Sequence, residues 1–124
     1  MKRHNPGFLR VVDAAKARIA QMDAADVAAA HRAGEAPLIV DVRERSEWDA
    51  GHIAGAIHVG KGVIERDIEG AVPDLDTALV LYCGGGYRSA LAADVLQQMG
   101  YTRVWSMAGG WREWRAADGA VVMD

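Results

Sequence analysis

The chain contains only one cysteine, Cys83, in 124 residues, so no internal disulfide can form and nothing points to an oxidising compartment. It has no excess of basic charge. Its 14 Lys and Arg stand against 17 Asp and Glu, a formal net charge of −3, which argues against a nucleic-acid partner because phosphate neutralisation needs a basic face. Long apolar runs are also missing. Met1-Lys2-Arg3 resembles the charged start of an export signal, but Asn5-Pro6-Gly7 follows. The apolar stretch from Phe8 to Val12 is broken by Arg10 and ended by Asp13. No segment suits export or membrane spanning, so the expected location is the cytoplasm and no membrane partner is expected. There are 3 prolines, with no low-complexity linker and no internal repeat, and the length suits one domain with a real core. The composition, 51% hydrophobic and 25% charged, is that of an ordinary globular protein.

Helical and strand patterns alternate along the chain. Asn5-Pro6 reads as a helix start, and Phe8, Val12, Ala15 and Ile19 recur at helical spacing. A short strand around Ile19 to Met22 follows, and Asp23 caps a helix through about Ala33. Leu38 to Val42 reads as a buried strand, Glu44 to Ala50 as one or two helical turns, and Ala56 to Val59 as a second short strand. Val63 to Glu69 suggests a helix, Leu79 to Tyr82 a strand, Arg88 to Met99 a helix and Arg103 to Trp105 a last strand. Gly109-Gly110 leads into a C-terminal helix with Trp111 and Trp114, which read as packing residues along with Trp48 and Trp105. This alternation predicts an α/β domain with a mostly parallel sheet, in which sites lie beyond the carboxyl ends of strands. Asp41 and Cys83 both occupy such ends.

Cys83 ends an apolar strand and is followed by Gly84-Gly85-Gly86-Tyr87-Arg88 and then a helix. Helix N-termini carry unpaired N–H groups and partial positive charge, an environment that favours the nucleophilic thiolate. The glycines leave the thiol open to approach and allow successive N–H groups to point inward as an anion-binding nest. Arg88 adds a fixed positive charge. A core cysteine needs no such cradle, so Cys83 is read as the nucleophile, with access to solvent. No second cysteine exists to resolve a disulfide, so any sulfur held on Cys83 must leave to an outside nucleophile. Histidine assistance would need His52 or His58 near the thiol. Both read more simply as structural histidines.

Three blocks of the chain resemble the single-domain rhodanese family of sulfurtransferases. They are Asp41-Val42-Arg43-Glu44 continuing through Glu47-Trp48 to Gly51-His52-Ile53-Ala54-Gly55-Ala56, then Cys83 to Ser89, then Gly109-Gly110-Trp111. The resemblance covers about Ile19 to Ala117, which leaves residues 1–18 as an N-terminal helical extension on a domain of residues 19–124. It implies a rhodanese-like fold, with a central, mostly parallel sheet flanked by helices. It implies that Cys83 takes a sulfane sulfur from a donor such as thiosulfate, holds it as a persulfide and passes it to cyanide or to a thiol, including a protein thiol. The backbone from Gly84 through Gly85, Gly86 and Tyr87 to Arg88 would cradle the persulfide, and no metal or organic cofactor is implied. Asp41, Arg43 and Glu47 match positions that brace the site. Arg43 and Glu47 are expected to pair across a helical turn.

Two alternatives stand beside that reading. A cysteine phosphatase places five residues between cysteine and arginine, whereas four intervene here, which makes a smaller cradle. A persulfide carrier or protein-interaction module would use the same loop with little turnover. Gly84 and Gly85 replace the basic or polar side chains that help several family members choose a donor, which weakens the case for thiosulfate. The N-terminal helix is compatible with either a monomer or a homodimer.

Overall fold

The computed structural model describes residues 4–123. The chain runs α1 (Pro6–Lys16), β1 (Ala20–Asp23), α2 (Ala24–Arg32), β2 (Leu38–Asp41), α3 (Arg45–Asp49), β3 (His52–Ile53) and β4 (Ile57–His58). After a 3-10 turn at Lys61–Val63 come α4 (Ile64–Ala71), β5 (Leu79–Tyr82), α5 (Tyr87–Gln98), β6 (Val104–Ala108), α6 (Gly110–Ala116) and β7 (Val121–Val122). Most expected elements appear within a few residues of their predicted bounds. The last strand of the main sheet is longer than expected and reaches Ala108. The small β3–β7 pair, antiparallel through His52–Val122 and Ile53–Val121, was not expected, because two residues per strand carry no readable periodicity.

Among the described residues, five strands form one parallel sheet in the order β1-β6-β5-β2-β4. β5 lies at its centre, and all four of its residues are buried. Strand alternation sends Leu79 and Leu81 to one face and Val80 and Tyr82 to the other. The first face packs on Ile64 and Ile68 of α4 and on Ala92, Ala93 and Leu96 of α5. The second packs on Ala24, Val27 and Ala28 of α2 and Trp114 of α6. Helices therefore cover both faces, which is why β5 reads as a continuous apolar run.

The N-terminal helix is seated on the domain. α1 packs against α5 through Val12 and Ala15, which are fully buried. Arg18 adds a two-pronged bond to Asp94 of α5, at 3.0 and 2.7 Å. No helix is long and apolar enough to cross a membrane among the described residues.

Candidate active site

Cys83 comes directly after β5, at the carboxyl edge of the central strand. Strand parity continues through it, so its side chain joins Leu79 and Leu81 in the core on the α5 side. The loop then curls over the sulfur. The Gly86 N–H donates to Cys83 Sγ at 3.2 Å and the Ser89 N–H at 3.4 Å. Gly86 makes this turn in the left-handed region, at φ +98°. Ser89 Oγ lies 3.5 Å from the sulfur and 2.8 Å from Ser106 Oγ, so a buried hydroxyl pair backs the thiol.

The expectation of an accessible thiol needs correction: Cys83 is only 1% exposed. Two causes act together. Parity turns the side chain inward, and the amides that contact the sulfur also shield it. The residue nevertheless contributes to the wall of a cavity of about 1000 Å³. Gly84, Gly85, Tyr87 and Arg88 line that cavity as well, so the predicted loop is gathered at one place.

Glu47 also reaches the cavity, but by a different pairing from the predicted one. Its carboxylate accepts from Arg88 at 2.8 and 3.1 Å, not from Arg43. Glu47 sits at the start of α3, where the Glu44 N–H donates to it at 2.9 Å in a capping box. The Arg88 bond holds the Glu47 carboxyl well below its usual range, at about 2, and raises Arg88 above its ordinary value. Helix α3 thus aims Glu47 across the sheet edge at the sulfur loop, while Arg43 points elsewhere.

Asp41 and Arg43 lie on the other face of the sheet. Asp41 pairs in register with Tyr82, whose parity is opposite to that of Cys83. Arg43 clasps Asp41 with bonds of 3.1 and 2.8 Å and donates to the Gly51 carbonyl at 2.7 Å. The Tyr82 hydroxyl donates to Asp41 and accepts the Ile53 N–H. Burial and the adjacent Asp41 carboxylate push the Tyr82 phenol well above its ordinary value. Neither Asp41 nor Arg43 lines the cavity. Their reach to the loop is indirect. Arg43 stacks 4.5 Å from the ring centre of Trp111, and the Trp111 N–H donates to the Cys83 carbonyl at 2.8 Å.

Helix α6 is therefore part of the loop's support. The Arg112 N–H donates to the Gly84 carbonyl at 3.2 Å. This close approach explains the second glycine of Gly109-Gly110. A Cβ on Gly110 would lie 2.4 Å from the Cys83 carbonyl oxygen.

Three cavity residues were not foreseen: His4 and Phe8 from the N-terminal segment, and Arg112. The His4 ring lies 4.3 Å from the Tyr87 ring, and Lys16 sits 4.8 Å over the same ring. Ser89, within the resembling block, and Ser106 were likewise not singled out. Only Ser89, at the start of the helix after the cysteine, carried a readable signal. The two candidate histidines stay outside the cavity. His52 stacks on Trp48, with ring centres 3.4 Å apart, and His58 Nε2 lies 2.8 Å from the Arg43 carbonyl. No tryptophan lines the cavity either. Among the described residues no group of three or more His, Cys, Asp or Glu is arranged to hold a metal ion.

The rhodanese-like domain model matches residues 23–117, most of the chain and all three of the blocks noted above. The chain belongs to the rhodanese family. A thiosulfate sulfurtransferase GlpE of Pseudomonas putida (strain GB-1) is 39% identical over 85 residues, 68% of this chain and 76% of that protein. The thiosulfate sulfurtransferase PspE of Escherichia coli (strain K12) is 35% identical over 74 residues, 60% of this chain and 70% of its own. A solved structure from Rhodopseudomonas palustris CGA009 has a TM-score of 0.87 at 32% identity and covers 98% of this chain and 99% of its own. It is described as a protein of unknown function, possible tyrosine phosphatase. That coverage takes in the N-terminal helix, which precedes the part of this rhodanese that the family model matches.

Proposed function

We propose that this rhodanese-type sulfurtransferase moves a sulfane sulfur from a donor such as thiosulfate to a thiol or cyanide acceptor through a persulfide on Cys83. One observation carries the reading: two main-chain N–H groups, from Gly86 and Ser89, converge on Sγ at 3.2 and 3.4 Å. Such donors stabilise negative charge on the sulfur without any proton having to be supplied.

The Cys83 thiolate attacks the outer sulfur of thiosulfate. A sulfur–sulfur bond to Cys83 forms, the bond to the sulfonate sulfur breaks, and sulfite leaves with the electron pair. An acceptor thiolate or cyanide then attacks the outer sulfur of the persulfide, and Cys83 departs as a thiolate. No oxidant is consumed, and the chain needs no second cysteine. Asp41 and Arg43 serve as bracing residues through Trp111, and Glu47 serves through Arg88.

The spacing of Cys83 and Arg88, with the guanidinium held by Glu47, disfavours wrapping a phosphate. Intact-protein mass spectrometry after incubation with thiosulfate tests the assignment. A gain of one sulfur mass, removed by a reductant and absent from Cys83→Ser, is expected, with negligible phosphate release from aryl phosphates. Absence of loading from any sulfane donor, or comparable turnover of an aryl phosphate, overturns it. Loading that is discharged only slowly to cyanide and small thiols identifies a carrier instead.

A further inference from the structure

We propose that Arg112 is the charge that selects anionic sulfur donors at Cys83 and holds the anionic leaving group. The proposal deepens the sulfurtransferase reading and rests on it for the thiosulfate arm of its test.

The charges lining the cavity decide the matter. Glu47 and Arg88 are committed to each other through a two-pronged bond at 2.8 and 3.1 Å, so together they present little net charge to an incoming anion. Arg88 is therefore already engaged by Glu47, and its remaining electrostatic contact is with Cys83 itself. Arg112 lines the same cavity, and no carboxylate among the described residues pairs with its side chain. Its backbone is fixed to the loop by the 3.2 Å bond from its N–H to the Gly84 carbonyl. Its guanidinium lies against the loop, where a Cβ built on Gly85 would meet Arg112 Nη2 at 3.6 Å. That separation is ordinary van der Waals contact, so the Arg112 guanidinium lies directly beside Gly85.

Thiosulfate presents its outer sulfur to Cys83 and its sulfonate away from it. A guanidinium offers a planar fork of N–H donors that can engage two of the sulfonate oxygens at once. As the sulfur–sulfur bond to Cys83 forms, the bond to the sulfonate breaks and charge accumulates on departing sulfite. Arg112 can stay in contact with that anion throughout. The contribution is electrostatic and solvent-reached, so it acts on capture and departure of the anion more than on the bond change itself.

The test uses the full chain and exploits its single cysteine, which makes alkylation report on Cys83 alone. The ratio of alkylation rates with iodoacetate, an anion, and iodoacetamide, its neutral counterpart, is measured for the wild type, Arg112→Gln and Arg112→Lys. Sulfur loading from thiosulfate is followed in parallel by mass. Arg112→Gln is expected to lower the iodoacetate to iodoacetamide ratio, and the second-order rate with thiosulfate, by about five- to tenfold. Arg112→Lys retains most of both, and the iodoacetamide rate stays the same in all three. Added salt lowers the ratio in the wild type and much less in Arg112→Gln. An unchanged ratio overturns the proposal, and so does an equal fall with both reagents, which marks a structural role. If the wild type accepts no sulfur from thiosulfate or any other sulfane donor, the sulfurtransferase reading fails while the alkylation ratio still decides the role of Arg112.

Discussion

Both carboxylate oxygens of Glu47 are taken by Arg88, at 2.8 and 3.1 Å, across 41 residues of sequence. The pair ties helix α3 to the first turn of α5, next to the sulfur loop. Each side chain is about a third exposed, so its value lies in placing the loop more than in stabilising the domain.

The pair has a defined pH dependence. Bonding to Arg88 lowers Glu47 from 4.5 to about 2. A carboxylate with a depressed native value stabilises the fold fully above its unfolded value and loses that contribution as pH falls through its native one. Wild type and Glu47→Gln should therefore differ in Tm above about pH 4.5 and converge as pH falls towards 2. Thermal melts across that range check it. A difference that persists at the acid end contradicts the pairing.

Tyr82→Phe removes the hydroxyl that donates to Asp41 and accepts the Ile53 N–H. Both Asp41 and Tyr82 are completely buried, so the lost bond has no water to replace it. A hydrogen bond to a charged group contributes about 1.5–3 kcal/mol, and denaturant unfolding should show a loss of that size. Sulfur loading should fall less than stability, because this network lies on the sheet face opposite Cys83.

Gly110 sits at φ +53°, with the Cys83 carbonyl oxygen where a Cβ would go. Gly110→Ala combines backbone strain with that clash and should cost at least about 2 kcal/mol. It should also slow iodoacetamide alkylation of Cys83, since α6 can no longer seat against the loop. Gly7→Ala, in α1 with open space around it, is the matched control and should be neutral or slightly stabilising.

Val12 tests whether the N-terminal helix belongs to the folded unit. It is fully buried between α1 and the domain. Val12→Ala should destabilise the whole protein by roughly 1–3 kcal/mol, in a single transition. A separate, earlier melting step would instead mark α1 as an appendage.

The sequence was most informative where signals are local. β5 was legible because a fully buried central strand must be apolar throughout, and α5 because Leu91, Val95, Leu96 and Met99 repeat at helical spacing. Of these four, however, only Leu96 is buried, and the small residues Ala90, Ala92 and Ala93 make up most of the inward face. The loop was legible because a thiol followed by three glycines and a helix start is an unusual local arrangement. The burial of Cys83 was harder to see, since glycines suggest openness. Strand parity, which sends Cys83 after Leu79 and Leu81 into one core, is the feature of the sequence that accounts for its burial.

Pairings between distant residues were another matter. Arg43 and Glu47 stand four apart and suggest a helical pair, yet Arg43 precedes α3 and turns to Asp41, leaving Glu47 for Arg88. Nothing in the spacing of His4, Phe8 or Arg112 relates them to Cys83. The sequence alone determined which backbone segments are strand, loop and helix, and pointed to Cys83 as the proposed nucleophile, because those readings follow from periodicity and local chemistry. Only the tertiary structure decided which charges meet at the sulfur. Side chains from α1, α3 and α6 reach one cavity through the parallel order of the sheet, and that convergence depends on packing across long separations in the chain.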